Sequence, residues 1–161
     1  MNYFLYMNNP FKSKWVLWGH LQHDSNWNMD SYTKISSVGF AEELIELLDI
    51  LPDKLITNYM LFMMRDGINP VWEDEQNKQG GCFSYKVDNK YVKEIWTDLC
   101  YSILGNSIST ESANNTITGV SISPKKSFCI IKIWMSSCKF QDASIMNIKQ
   151  LKPMNCLFKK H

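Results

Sequence analysis

A chain of 161 residues with 45% hydrophobic and 13% aromatic residues is the size of one domain and can bury a substantial core, so we expect a single globular domain over residues 1–161. Seventeen Lys and Arg residues against 16 Asp and Glu residues give a formal net charge of +1. This balance argues against a nonspecific nucleic-acid-binding protein that depends on a broad basic face, so any contact with nucleic acid must come from a small, local site.

The five cysteines indicate neither a disulfide framework nor a zinc site, because their number is odd and no two of them are spaced as CxxC. The N-terminus has no basic segment followed by a long apolar run, and no stretch of about 18 apolar residues occurs in the chain. We therefore expect a cytoplasmic protein with reduced thiols, no export signal and no membrane association.

The first predicted element is a strand over residues 14–21, KWVLWGHL, which is short and rich in β-forming residues. Its alternation places Trp15 and Trp18 on opposite faces. His20, His23 and Asp24 do not match the spacing of a standard metal site, and we interpret them as polar loop residues. A polar loop then carries Trp27 as its only large ring, and a short strand is predicted over residues 32–36.

Apolar residues at helical spacing predict a helix over residues 39–51, which ends at Pro52. The apolar run over residues 60–64 predicts a buried strand, and we expect it to pair with a strand over residues 82–87 across the intervening loop.

The intervening loop contains the sequence DGINPVWEDEQNKQGGCF, in which Trp72 is followed at once by Glu73. Asp66-Gly67 predicts a tight turn, Pro70 disfavours a strand, and Gly80-Gly81 is typical of a close backbone approach or a positive φ. An exposed indole beside a carboxylate can stack on a base and accept hydrogen bonds from a purine edge. The alternative is a solvated acidic loop with one half-buried tryptophan.

The C-terminal half begins with a predicted helix over residues 92–104, with Trp96 in the core and Gly105 just beyond its end. The β-rich runs 117–123 and 128–135 predict a hairpin with a basic turn, and Lys132 and Trp134 share one face of its second strand. A third helix is predicted over residues 142–151, followed by a strand near residues 156–158.

The segments WVLWGH, SNW, FMMRDGINPVWEDEQNKQGG, IW with ILGN, and GVSIS with IIKIW resemble, in order and spacing, the eukaryotic translation initiation factor 4E family. Members of this family bind the 7-methylguanosine cap of messenger RNA. The likeness extends from Pro10 to about Trp134, and GINPVWEDEQNKQGG is its most specific part. It implies an α+β fold, with a curved antiparallel sheet, about three helices on the convex face and the cap pocket on the concave face. We expect a compact, divergent member without the family's long leading segment.

By this resemblance, Trp27 and Trp72 stack on the methylated base, and Glu73 accepts hydrogen bonds from the N1 and N2 donors of guanine. The backbone N–H of Trp72 meets O6, and Trp134 lies against the methyl group. Methylation at N7 makes the base a cation, which indole faces attract by about 0.5–2 kcal/mol beyond stacking.

On the phosphate side, Lys125 matches a family arginine, whereas a basic residue of the family falls on Cys82 and the phosphate lysine of the family falls on Ile130. Lys132 and Lys126 are then the further candidates for binding the phosphates. The alternative is that these two are solvated surface lysines.

The resemblance places the partner-binding surface at Pro10, Ala41 and Ile45. The tryptophan with which the family holds its scaffold and repressor partners falls on Ile45, and the valine before it falls on Ala41. We therefore expect weak binding of the standard scaffold motif. The expected partners are capped messenger RNA and a scaffold of the factor 4G type or a divergent equivalent.

The first functional hypothesis is a monomeric, cap-binding translation initiation factor without catalytic residues, metal or cofactor. The second is a cap-binding competitor or repressor that does not recruit the usual scaffold. A metal-dependent hydrolase built on His20 and His23 ranks far behind, because the sequence has neither a ligand set nor a nucleophile–base pair. An interaction module with an inactive pocket is disfavoured by the joint presence of the four base-binding residues, Trp27, Trp72, Glu73 and Trp134.

Overall fold

The computed structural model describes residues 8–161, whose strands form one curved antiparallel sheet. Across the sheet the strand order is β2-β1-β3-β5-β6-β4-β7. The predicted α+β class is confirmed. The prediction that the chain has no export signal concerns its N-terminal segment, and residues 1–7 lie outside the described residues. The strands are β1 (Pro10–Leu21), β2 (Tyr32–Phe40), β3 (Tyr59–Arg65), β4 (Gly81–Asp88), β5 (Ile117–Pro124), β6 (Phe128–Met135) and β7 (Cys156–Lys160).

Helix α1 begins directly after β2 because the Glu43 carboxylate accepts hydrogen bonds from the backbone N–H groups of Gly39 and Phe40, at 2.6 and 3.2 Å. Within residues 8–161, no helix is long and apolar enough to cross a membrane. The helices are α1 (Ala41–Ile50), α2 (Asp53–Asn58), α3 (Val92–Leu104) and α4 (Glu111–Asn114), with 3-10 turns at Met29–Ser31, Asn89–Tyr91, Ala143–Ile145 and Pro153–Asn155.

The main core lies between the convex face of the sheet and the helices. Trp15 and Leu17 point into it from β1, and Trp96 points into it from α3, as predicted. Fully burying one such side chain contributes about 1.5–3 kcal/mol to folding. The buried residues of α3 recur at helical spacing and are Val92, Ile95, Trp96, Leu99, Cys100, Ile103 and Leu104.

A smaller apolar cluster covers the concave face, which the helices leave open. Trp18 packs there, on the opposite side of β1 from Trp15, as the alternation of a strand requires. Buried side chains from three strands form this cluster, and it is the surface on which the candidate site is built. They are Phe62 and Met64 of β3, Cys82 of β4 and Trp134 of β6.

Arg65, at the end of β3, is the only arginine in the sequence, and it is committed to holding the fold together. Its guanidinium donates to the Ile117 carbonyl at 2.6 Å, the Ser13 hydroxyl at 2.8 Å and the Asn114 carbonyl at 2.9 Å. It also lies 4.7 Å from the ring centroid of Trp15. Any cationic side chain that binds an anion elsewhere in the chain must therefore be a lysine or a protonated histidine.

The predicted pairing between the strands at 60–64 and 82–87 is wrong. β3 pairs with β1 on one edge and β5 on the other, so neither edge is left for β4, which instead pairs with β6 and β7. The Trp72 loop therefore crosses between non-adjacent strands. β1 and β2 are both longer than predicted, because their pairing continues past a register shift to Pro10↔Phe40.

The predicted helix over residues 142–151 is also wrong, since only the 3-10 turn Ala143–Ile145 forms there. The Asp142 carboxylate accepts a hydrogen bond from the Ser144 N–H at 2.9 Å and closes a local turn. At the end of α3, the residue in the left-handed region is Asn106 (φ 54°), one position after Gly105. Asparagine tolerates this conformation better than most residues.

Candidate functional site

Trp27 lies on the loop between β1 and β2, and 52% of its surface is exposed. Short polar side chains shape the loop by binding its own backbone. The Asp24 carboxylate accepts from the Asn26 N–H at 2.8 Å, and the side-chain carbonyl of Asn26 accepts from the Asn28 N–H at 2.9 Å. The Ser31 hydroxyl donates to the Asn26 carbonyl at 2.7 Å. These local turns hold a large apolar ring in a position that solvation alone would disfavour.

His20 supports Trp27 from below, and its predicted place in a polar loop is wrong. It belongs to β1, is 1% exposed, and stacks on the Trp27 indole with ring centroids 4.4 Å apart and planes within 5°. Its Nε2 lies 2.8 Å from the Asn26 carbonyl oxygen, to which it donates. One face of the Trp27 indole is therefore already covered, and the other remains open.

Trp72 lies on the loop between β3 and β4, and 55% of its surface is exposed. The Asp74 carboxylate accepts from the backbone N–H groups of Asn69 and Gln76, both at 2.9 Å. The buried Asn77 amide donates to the carbonyls of Asn69 and Val71, at 3.1 and 2.9 Å. These hydrogen bonds thus fix the backbone of the loop on both sides of Trp72.

The turn and the glycine pair of this loop behave as predicted. Gly67 has a φ of 83°, in the region that glycine favours. A Cβ atom on Gly80 would lie 1.7 Å from the Met135 carbonyl oxygen, and one on Gly81 would lie 2.5 Å from the Lys159 carbonyl oxygen. The pair is therefore required by close backbone approach rather than by a positive φ.

Trp134 forms the floor between the two loops and is 7% exposed. Its indole N–H donates to the Ser121 hydroxyl at 2.9 Å, and its ring meets Phe62 edge to face, with centroids 6.2 Å apart. With its N–H group already bonded, Trp134 can offer a ligand only apolar ring surface.

These elements enclose a hollow of about 360 Å³ on the concave face. The structure thereby brings the predicted base-binding residues Trp27, Trp72, Glu73 and Trp134 to one place. The remaining lining residues are Tyr32, Met60, Phe62, Pro70, Val71, Ser121, Ser123, Lys125, Ile130 and Lys132.

The hollow is lined by charged groups of both signs. Burial, and then the negative charge of Glu73, raise the pKa of Tyr32 to about 12. The Tyr32 phenol therefore keeps its proton and adds no second negative charge to that of Glu73. Lys125 and Lys132 bring positive charge, whereas Lys126, the third predicted phosphate ligand, does not line this hollow. Ile130 contributes an apolar side chain where the resemblance places a lysine.

The metal hypothesis gains no support in the part of the chain that the structure describes. Among residues 8–161, no group of three or more His, Cys, Asp or Glu side chains is arranged to hold a metal ion. His20 is engaged with Trp27 and Asn26, and His23 is exposed.

The predicted partner surface lies at the start of α1. Pro10 pairs with Phe40, directly before Ala41, and the Ala41 N–H donates to the Asn9 carbonyl at 2.9 Å. Ile45 lies one turn further along the helix and is 47% exposed. The pairing of β1 with β2 thus brings these three positions to one end of the sheet.

Comparison with known proteins identifies the family. The family described as eukaryotic initiation factor 4E matches residues 10–158. The chain belongs to this family. It is 30% identical over 142 residues to initiation factor 4E of Eremothecium gossypii, covering 83% of this chain and 65% of the relative. It is 24% identical over 144 residues to the human factor, covering 86% of this chain and 65% of the relative. The chain thus spans about two thirds of the length of these family members.

Solved structures of the family share the fold. Initiation factor 4E-3 of Ascaris suum, solved with the m7G cap, superposes with a TM-score of 0.80 at 20% identity, covering 96% of this chain and 92% of that one. Factor 4E-3 of C. elegans, solved with the 4E-binding protein Mextli, gives a TM-score of 0.78 at 20% identity, covering 95% and 93%.

Sequence reasoning missed three residues that build the site. His20 supports Trp27, Tyr32 lies near Glu73, and Asn77 fixes the Trp72 loop. The alternation that predicts Trp18 on one face of β1 also places His20 on that face, which was an available signal. The role of Asn77 depends on hydrogen bonds to carbonyls six and eight residues earlier in its own loop, and no sequence pattern marks such contacts.

Proposed function

We propose that this chain binds the 7-methylguanosine cap of messenger RNA in the hollow between Trp27 and Trp72. The observation that carries the proposal is the presence of two half-exposed indoles and one carboxylate, Glu73, around a hollow floored by Trp134. A cationic base gains about 0.5–2 kcal/mol from an indole face in addition to stacking. Membership of the initiation factor 4E family supports this assignment.

The edge of the base is read by the Trp72 loop. Glu73 accepts hydrogen bonds from the N1 and N2 donors of guanine, and these are charge-assisted because the methylated base is a cation. The backbone N–H of Trp72 donates to O6, and among the described residues no backbone carbonyl accepts from that N–H. Trp134, whose own N–H is bonded to Ser121, lies against the methyl group with its ring.

The phosphates of the cap are bound by lysines, since Arg65 is engaged elsewhere. Lys125 and Lys132 line the hollow and are the main candidates. Lys126, on the same hairpin turn as Lys125, is exposed and outside the lining, so we assign it a smaller part.

The protein acts through this pocket as a translation initiation factor rather than as an enzyme, delivering capped messages to a scaffold protein. A second role, cap occupation without recruitment of the usual scaffold, is favoured by one observation. The exposed residue of α1 at the partner surface is Ile45, whose side chain has less contact area than tryptophan and no N–H donor.

Retention on immobilised 7-methyl-GTP tests the proposal. We expect the protein to be retained, to elute with free 7-methyl-GTP and to remain bound when GTP is applied at the same concentration. Elution by both nucleotides alike, or no retention, would contradict cap binding.

A further inference from the structure

A second hollow, of about 300 Å³, adjoins the first along the concave face. Trp72, Lys132 and Trp134 line both hollows, so the two are continuous. The far side of the second hollow is formed by β4 and β7, which contribute Cys82 and Lys159.

The sheet register places these side chains in one row. Cys82 pairs with Trp134 of β6 on one side and with Lys159 of β7 on the other. Directly opposed residues of antiparallel strands point to the same face, with Cβ atoms about 4.5–5.5 Å apart. Lys132 pairs with Ser84, one row further along and on the same face. Two ammonium groups therefore flank the wall that leads away from the base pocket.

The positive charges of Lys132 and Lys159 both act on Cys82, which lies between them in this wall. Burial raises the pKa of the Cys82 thiol to about 12, and the positive charges of Lys132 and Lys159 act on it in the opposite direction. The thiol is therefore neutral at physiological pH and supplies no counter-charge. Within residues 8–161, the carboxylates that lie within 4.0 Å of a lysine belong to pairs formed by other lysines: Lys12, Lys78 and Lys93.

Three lysines line the second hollow, Lys132, Lys159 and Lys160, and within residues 8–161 none of them lies within 4.0 Å of a carboxylate. A hollow of this charge, continuous with a pocket for a cationic base, suits a ligand that is cationic at one end and polyanionic at the other. We propose that Lys159 of β7, together with Lys132, binds the phosphate chain of the capped nucleotide in the second hollow. This inference rests on the proposed cap binding, and it extends the proposed phosphate site from Lys132, which lines both hollows, to Lys159 of β7.

Calorimetric titration with 7-methylguanosine and with 7-methyl-GTP tests the inference, using wild type and Lys159→Ala. We expect Lys159→Ala to weaken 7-methyl-GTP binding by about three- to tenfold, since an exposed charge-assisted contact is lost, and to make it less sensitive to salt. Binding of the nucleoside, which has no phosphate, should stay unchanged. Lys159→Arg keeps the charge and should keep most of the affinity.

Lys152→Ala is the matched control, because Lys152 is an exposed lysine shortly before β7 that lines neither hollow. An equal loss for nucleoside and triphosphate in Lys159→Ala, no loss for either, or an equal loss in Lys152→Ala would overturn the inference. These outcomes leave cap binding intact if wild type still prefers 7-methyl-GTP to GTP. A wild-type protein that binds both nucleotides alike would overturn the proposed function and this inference together.

Discussion

The imidazole of His20 lies parallel to the indole of Trp27 at a centroid distance of 4.4 Å. Because His20 is buried in β1 and bonded to the Asn26 carbonyl, it ties the exposed loop to the rigid sheet. An exposed indole is thereby held with one face covered and one face open. This pre-organisation lowers the entropy that a ligand must overcome in order to stack on Trp27.

Replacing His20 by alanine should weaken 7-methyl-GTP binding by about 0.5–1.5 kcal/mol, the usual value of an aromatic pair beyond its buried area. Calorimetric titration measures the loss, and circular dichroism checks that the variant is folded. His23→Ala, in the adjoining loop, is the control and should bind normally. In a Trp27→Ala background, His20→Ala should cause no further loss; an additive loss would show that His20 does not act through Trp27.

Glu73→Gln keeps the shape of the side chain but replaces one acceptor by a donor that faces the donors of guanine. We expect a loss of about 1–3 kcal/mol in 7-methyl-GTP affinity with the fold intact. The control is Glu75→Gln, because Glu75 is exposed and paired with Lys78 at 2.7 Å rather than lining the hollow. Equal affinities of wild type and Glu73→Gln would place Glu73 outside the binding site.

His161 should make stability depend on pH in a defined direction. Burial, and then the positive charge of Lys132, lower the pKa of His161 from its ordinary 6.5. Below pH 6.5, His161 binds a proton more readily in the unfolded chain than in the folded one. The folded state is therefore fully favoured above pH 6.5, and this contribution to stability is lost as the pH falls through the lowered pKa. Urea unfolding at about pH 7.5 and about pH 5 should show a smaller loss for His161→Gln than for wild type. Equal losses would contradict this.

The surface of α1 predicts an altered partner preference. Ile45→Trp should strengthen binding of a peptide with the standard tyrosine-and-leucine scaffold motif, because an indole adds contact area and an N–H donor. Ile50→Trp is the control, since Ile50 is 69% exposed on the same helix but outside the predicted contact. Calorimetric titration in parallel decides, and tight wild-type binding, or no gain in Ile45→Trp, would show that the prediction is wrong.

The sequence predicts much of the fold because its patterns are local. The spacing of α3, the alternation along β1 and the hairpin of β5 and β6 each depend on neighbours within one element. The partner of β4 could not be predicted in this way. It depends on which strand edges remain open after β3 has paired on both sides, and that is a property of the whole sheet.

The residues of the candidate site also differ in whether a local sequence pattern or the assembly of the whole sheet determines their place. Trp27, Trp72 and Glu73 stand out in the sequence because large rings and acids on polar loops lack a packing role. Lys159 does not stand out, because its position in the site follows from the pairing of β7 with β4, and the exposed lysine has no local pattern of its own.

The central claim is that the hollow between Trp27 and Trp72 selects a methylated, cationic base. Calorimetric titration of wild type with 7-methyl-GTP and with GTP tests it most directly, with Trp27→Ala and Trp72→Ala in parallel. We predict a preference for the methylated nucleotide of at least about 1.4 kcal/mol, or tenfold. Each alanine variant should lose about 1–3 kcal/mol, and the losses should be interdependent because both rings stack on one base. Equal affinity for the two nucleotides, or a Trp72→Ala variant that binds as well as wild type, would contradict the account.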